Sequence, residues 1–265
     1  MKNWLFLSLL STAIYTVVNF TDKYILERQI KDYRGMVIYS AIVGLITGIV
    51  LWSASGFPIL GMKDGLLVLF TGILFVFGAA LYFQVMQNEE TSKVIFLSQL
   101  VPIFTILMSS FLLREQLSIK QIFGFVLIMV SVLALAVKGK EKLFLKPDKS
   151  FWLMTISSIL WAAGTIIFKF VSDTSSFIKL SAYEGFGWAA GGLILFIAFP
   201  SIRQAFISTT RKLSKFGTTV VFGNEAVYLA SKLLLFLAII SGPVALVSVV
   251  QGTNIMFGII YGWIL

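Results

Sequence analysis

The chain has 265 residues, 58% of them hydrophobic and only 12% charged. A soluble domain carries roughly 25% charged residues, so this composition cannot cover a water-facing surface. The absence of Cys and His excludes disulfides, thiolate nucleophiles, a Ser-His-Asp triad and imidazole metal or haem sites, and no cofactor or metal is expected. The net charge of +9 would suggest nucleic acid in a soluble chain, but the 21 Lys and Arg sit mostly in short loops, where they orient a protein and attract lipid head groups.

Met1-Lys2-Asn3 leads straight into the first apolar run, without an A-x-A site. Nine helices of 16 to 23 residues are predicted: Trp4–Phe20, Met36–Ser55, Leu66–Met86, Val94–Leu113, Ile122–Val137, Phe151–Phe168, Leu180–Phe199, Thr218–Ile240 and Val244–Leu265. Each can cross a hydrocarbon core of about 30 Å, the shortest with help from neighbours or local thinning. The runs are continuously apolar, which excludes the alternating pattern of a membrane β-barrel. The reading is an all-α, multi-pass protein of the cell membrane.

The longest polar connection, 138–150, holds five Lys, two acids and Pro147. It separates residues 1–137 from residues 151–265, and the two parts resemble each other. An offset of 146 lays Tyr15 near Trp161 and Lys23 on Lys169; an offset of 152 lays Lys63-Asp64-Gly65 on Lys215-Phe216-Gly217 and Gln99 on Gln251. Five helices per unit is an odd number, so the second copy inserts upside down, the inverted-repeat plan of many secondary transporters. At the second offset Leu265 corresponds to Leu113; nine helices are present, and a tenth is expected beyond them.

The stretch from Glu90 to Leu135 contains Leu97-Ser98-Gln99-Leu100-Val101-Pro102, then Leu113-Arg114-Glu115-Gln116-Leu117 and Gln121-Ile122-Phe123-Gly124. It resembles the EamA domain of the drug/metabolite transporter superfamily, and Trp161 to Lys169 is similar to the first helix of that family's repeat. The second repeat departs from the pattern, with Gly252-Thr253-Asn254 where Leu100-Val101-Pro102 stands in the first. The resemblance implies ten helices around a central cavity that moves small metabolites, often outward: an amino acid or related compound carried by alternating access.

Two acids, Glu184 and Glu225, and one base, Lys232, lie within the predicted runs, and every Asp is read as lying in a loop or at a helix end. A charge at the bilayer centre costs about 2.5–3.5 kcal/mol on insertion scales, so these three should face a cavity or a partner. Glu225 and Lys232 share a helix face roughly 10 Å apart along the axis, too far for an ideal direct pair; a zwitterion could bridge them, or other helices could satisfy them. Glu184, one turn into its helix, could instead reach interfacial water. Without His, a carboxylate is left to carry a proton, and Glu225 is better placed than Glu184.

Gln99, Gln251, Asn224, Gln84 and Asn254 are candidate cavity donors, with interhelical hydrogen bonding as the alternative. Tyr15, Trp161 and Trp188 are candidate substrate platforms or packing aromatics, and Lys23 and Lys169 read as snorkelling anchors. Gly44-x-x-x-Gly48, Gly187-x-x-x-Gly191 and Gly258-x-x-x-Gly262 predict close helix approach, and Pro102 predicts a kink in the fourth helix. Loops after odd-numbered helices hold 14 of the 21 Lys and Arg, which by the positive-inside rule places the N-terminus outside; ten-helix relatives have both ends inside, and both orientations stay open. The rivals to a carrier are a passive channel or facilitator, a non-transport membrane subunit and an intramembrane enzyme. The partners expected are a small-molecule substrate, possible coupled protons and the lipid bilayer, with no nucleic acid and no signal of an oligomeric state.

Overall fold

A computed structural model describes residues 3–115, 117–138 and 147–264; Gln116 and most of the 138–150 loop lie outside the described residues. The elements are α1 (Trp4–Tyr24), α2 (Tyr33–Ala54), α3 (Met62–Asn88), α4 (Thr91–Leu97), α5 (Leu100–Leu112), α6 (Ile119–Lys138), α7 (Lys149–Val171), α8 (Phe177–Ala198), α9 (Pro200–Lys212), α10 (Lys215–Ser241), α11 (Val244–Gln251) and α12 (Asn254–Ile264). Eight stretches among the described residues are long and apolar enough to cross a membrane. These are α1 with a π-helical extension to Gln29, α2, α3, α4 with α5, α7, α8, α10, and α11 with α12. The fold is that of an all-helical polytopic membrane protein, and α6 adds an apolar helix of 20 residues.

In α1, Ser8, Thr12 and Thr16 each donate to the carbonyl four residues back, at 2.7, 2.8 and 2.8 Å. Hydroxyls satisfied within their own helix can be buried without water. The buried polar stripe continues through Asn19 to Asp22, so the helix runs past its predicted end at Phe20. Along this face α1 meets α10, where Ser11 Oγ donates to the Ser231 carbonyl and Ser231 Oγ to the Ser11 carbonyl, both at 2.9 Å.

Glycines set the closest crossings. An added Cβ on Gly44 would lie 2.6 Å from the Trp188 Cβ, and one on Gly185 would lie 2.6 Å from the Gly44 carbonyl, so α2 and α8 touch backbone to backbone. On the other side of α8, a Cβ on Gly72 or Gly187 would fall 2.2 Å from a carbonyl across the α3–α8 interface. The predicted approach at Gly44/Gly48 and Gly187/Gly191 is therefore present. At Gly258/Gly262 no backbone comes close among the described residues: the Gly258 Cβ would meet only the side-chain tip of Ile95 closely, at 3.3 Å, and Gly262 has nothing within 4 Å.

Two predicted helices are broken. The fourth divides at Ser98–Gln99, leaving Pro102 in the first turn of α5, where a missing N–H costs nothing. The ninth divides at Gly252–Thr253, where no proline stands. Proline therefore does not by itself explain the breaks. α9 is a surface helix in a segment expected to be a loop, packed on α2 and α8.

Candidate functional site

The two helix breaks face a shared central cavity. Its walls come from α1 (Ser11, Thr12, Tyr15), α3 (Phe75), the α4–α5 break (Ser98, Gln99), α7 (Trp161, Thr165), α10 (Tyr228, Lys232, Phe236) and the α11–α12 break (Gln251, Asn254). A smaller chamber adjoins it, lined by Asp22, Ser40, Tyr82, Trp188 and Glu225 among others. Tyr15, Trp161 and Tyr228 wall both chambers. Broken helices that place polar backbone at a mid-membrane cavity are tolerated where that backbone lines the cavity or is buried in protein.

Lys232 belongs to the larger chamber. Its Nζ donates to Oε1 and Oε2 of Glu184 at 3.0 and 2.9 Å, and it lies 4.7 Å from the centre of the Trp188 ring. Trp188 Nε1 completes the group by donating to Glu184 Oε1 at 2.6 Å. Glu184 is 2% exposed, so it does not reach interfacial water; α8 carries it against α10, where it neutralises Lys232. Buried charges persist only when paired and hydrogen-bonded in this way.

Glu225 is not part of that group. It accepts from Ser40 Oγ of α2 at 2.6 Å and lines the smaller chamber. Glu225 and Lys232 are each satisfied from another helix, by Ser40 of α2 and Glu184 of α8, and Tyr228, one turn from each along α10, walls both chambers.

The second carboxylate of the smaller chamber is Asp22, which the sequence reading put at a helix end and which is in fact buried in α1. Asp22 accepts from Asn224 Nδ2 at 2.6 Å and from Tyr82 Oη at 3.0 Å. Tyr82 also lies 3.0 Å from Asn19 Oδ1. Asp22, Ser40, Tyr82 and Tyr228 are among the site residues missed in the sequence. The spacing of the polar stripe, Ser8, Thr12, Thr16 and Asn19, extends to Asp22 at helical intervals and would have found it.

The other candidates divide. Gln99 is 5% exposed, and its Oε1 faces no donor among the described residues; Gln251 lines the same cavity. Asn254 accepts from Thr16 at the cavity wall. Asn224 is spent on Asp22 and Gln84 lines neither chamber. Trp161 lines both chambers while donating to the Phe75 carbonyl at 3.1 Å. Tyr15 faces Tyr228 with ring centres 6.1 Å apart.

Polar clasps hold the turns outside the chambers. Lys23 donates to the carbonyls of Met86 and Glu89 at the C-terminal end of α3, and Lys169 donates to those of Ile239, Ile240 and Gly242 at the C-terminal end of α10. Both lysines thus tie down turns by their carbonyls as well as marking helix ends. Glu115, from the turn after α5, accepts from the amides of Val244 and Ala245 at 2.9 Å each, capping the first turn of α11. Lys93 pairs with Glu89 at 3.0 Å and with Asp148 at 2.7 Å. The Lys93 hydrogen bond holds the Asp148 carboxyl below the usual carboxylate range.

One solved structure, a crystal structure of a protein, aligns with TM-score 0.67 over 99% of this chain and 87% of that one, at 14% identity. At that identity the likeness shows the fold. No curated protein matches by sequence. The model of the EamA-like transporter family matches residues 2–137, more than half of the chain. With spans, broken helices and a cavity between them in place, the chain belongs to the EamA-like transporter family, a group of multi-pass membrane transporters within the drug/metabolite transporter superfamily.

Proposed function

We propose that the chain acts as a secondary carrier that moves a small metabolite, an amino acid or related compound, outward by alternating access between two inverted repeats, with no enzymatic chemistry. The observation that carries the reading is the pair of adjoining chambers. The larger holds Lys232 and the unpartnered Gln99 Oε1 among aromatic walls, and takes the substrate. The smaller holds Asp22 and Glu225, with hydroxyl and amide partners but no cation bonded to either among the described residues, and takes the proton. Tyr15, Trp161 and Tyr228, which wall both, would let occupancy of one chamber alter the other.

Repeats are supported by correspondences that the composition of apolar helices does not produce. The Lys23 and Lys169 clasps fall on carbonyls separated by one interval, Met86 to Ile239 and Glu89 to Gly242, and α4 and α11 begin at that same interval, Thr91 and Val244. The two halves also differ in a way that alternating access requires. α3 lies tight along α8, whereas the corresponding pair, α10 and α2, touches much less.

Glu225→Gln tests the reading in proteoliposomes. It should abolish or uncouple flux while leaving membrane abundance similar; flux with unchanged pH dependence would remove Glu225 from the mechanism. A passive channel is the second reading, and non-saturating flux would favour it.

A further inference from the structure

The surface helix α9 has no role in either chamber, and its chemistry is distinct. Its packed face is Ile202, Ala205, Phe206 and Thr209, the residues at i, i+3, i+4 and i+7 of an amphipathic helix. Gly35 of α2 comes so close that an added Cβ would lie 3.2 Å from Thr209 Oγ1 and 3.5 Å from the Ala205 carbonyl. Tyr39 of α2 shares a 2.8 Å hydrogen bond with Thr210 and lies 5.1 Å, centre to centre, from the Phe206 ring. The outer stripe reads Arg203, Ile207, Arg211, with all three exposed and spaced one turn apart.

This stripe continues into a band of cations. Lys212 and Lys215 follow it, and the α1–α2 turn adds Arg28 and Lys31 on the same side, because Gln29 meets Gly217 at the start of α10. Arg28, Lys31, Arg203, Arg211, Lys212 and Lys215 are exposed, and no ion pair engages them among the described residues. The two acids nearby are already occupied, Glu27 by Lys23 at 3.3 Å and Asp32 by Arg34 at 2.7 Å. Exposed Phe199, Ile207 and Phe216 lie among these bases. A helix between two membrane spans, with bases on its outer face and apolar side chains between them, is built for the headgroup–acyl boundary.

We propose that α9, with the bases of the α1–α2 and α9–α10 turns, is a binding site for the headgroups of anionic phospholipids, and that an occupied site holds α2 in place. The headgroup phosphate meets Arg203 and Arg211, and Ile207 enters the upper acyl region. The mechanical link is α2 itself. Tyr39 holds α9 while the next residue, Ser40, holds Glu225, so the lipid contact and the smaller chamber grip one turn of the same helix.

The binding claim does not depend on transport and is tested without it. The full chain is placed in nanodiscs of phosphatidylcholine with or without phosphatidylglycerol, and retained lipid and melting temperature are measured. Phosphatidylglycerol is expected to be retained over phosphatidylcholine and to raise the melting temperature. Each base removed should weaken that retention roughly fivefold, so Arg203→Gln/Arg211→Gln/Lys212→Gln should abolish the preference, while Lys63→Gln in the first turn of α3 should leave it intact. Thr210→Val should keep the lipid preference but shrink the thermal shift. Equal retention of both lipids by the wild type would overturn the proposal even if the triple variant failed to accumulate. So would a triple variant with wild-type preference, or equal stabilisation by inorganic phosphate in detergent, which would indicate an ion site.

Discussion

Removing one member of the Glu184–Lys232 pair should be far more damaging than removing both. Lys232 and Glu184 are 6% and 2% exposed, and both carboxylate oxygens lie within 3.0 Å of Nζ. Glu184→Gln leaves the ammonium without its counter-charge, facing an amide oxygen and aromatic rings, the nearest centred 4.7 Å away. Lys232→Met leaves a buried carboxylate with the Trp188 N–H as its remaining donor. An uncompensated buried charge costs about 3–5 kcal/mol, whereas replacing a whole buried pair by groups of similar volume is often neutral or better. Glu184→Gln/Lys232→Met should therefore lie within about 1 kcal/mol of the wild type, with a coupling energy near the sum of the two single losses. Reversible unfolding in mixed micelles measures all four corners of the cycle. If Glu184→Gln costs under about 1 kcal/mol, or if the double variant shows the sum of the single losses, the two groups are not mutually compensating.

Three further outcomes follow from the geometry. Gly72→Ala should lose about 1–3 kcal/mol by overpacking against a carbonyl, while Gly262→Ala, with open space around it, should be neutral or gain up to about 1 kcal/mol from helix propensity; thermal melts of the two variants separate these cases. Glu115→Ala should cost about 0.5–2 kcal/mol, the range for a lost helix cap, and speed hydrogen exchange at Val244 and Ala245; unchanged exchange there would deny Glu115 its capping role. The Asp148 carboxyl titrates lower in the folded chain than when unfolded, through its Lys93 hydrogen bond. Its contribution is therefore present above the ordinary carboxylate pKa and fades as pH falls through the depressed one. Asp148→Asn should flatten that acid limb of the stability curve, by under about 1 kcal/mol because the side chain is partly exposed.

The span centres were legible because apolar runs of that length have one physical outcome in a bilayer. Their ends and bends were not. Thr21-Asp22-Lys23 reads as polar punctuation after Phe20, yet the helix continues because α10, α3 and Tyr82 supply the partners that water would have supplied. Pro102 predicts a kink in the fourth helix, but that helix breaks before it, at Ser98–Gln99, and the proline ring lies in the first turn of the second piece. Its counterpart at Gly252–Thr253 breaks without any proline. Pro200–Lys212 is too polar for a span and reads as loop from sequence alone, and the amphipathic face of α9 has meaning only once Gly35 and Tyr39 present a surface to it. Within the site, the sequence singled out Glu184, Glu225, Lys232 and Gln99 by the cost of polarity in hydrocarbon. It could not pair them, since the residue that claims Lys232 lies 48 positions away and helix spacing ranks only neighbours on the same helix.

The central claim is that the chamber between the helix breaks carries substrate across the membrane. It is tested most directly by flux of a labelled amino-acid and metabolite panel in proteoliposomes, with and without an imposed pH gradient. The account predicts saturable, competable flux of at least one compound, responsive to the gradient and altered by Glu225→Gln. Flux that rises linearly with concentration, without competition, would contradict a carrier and describe a pore.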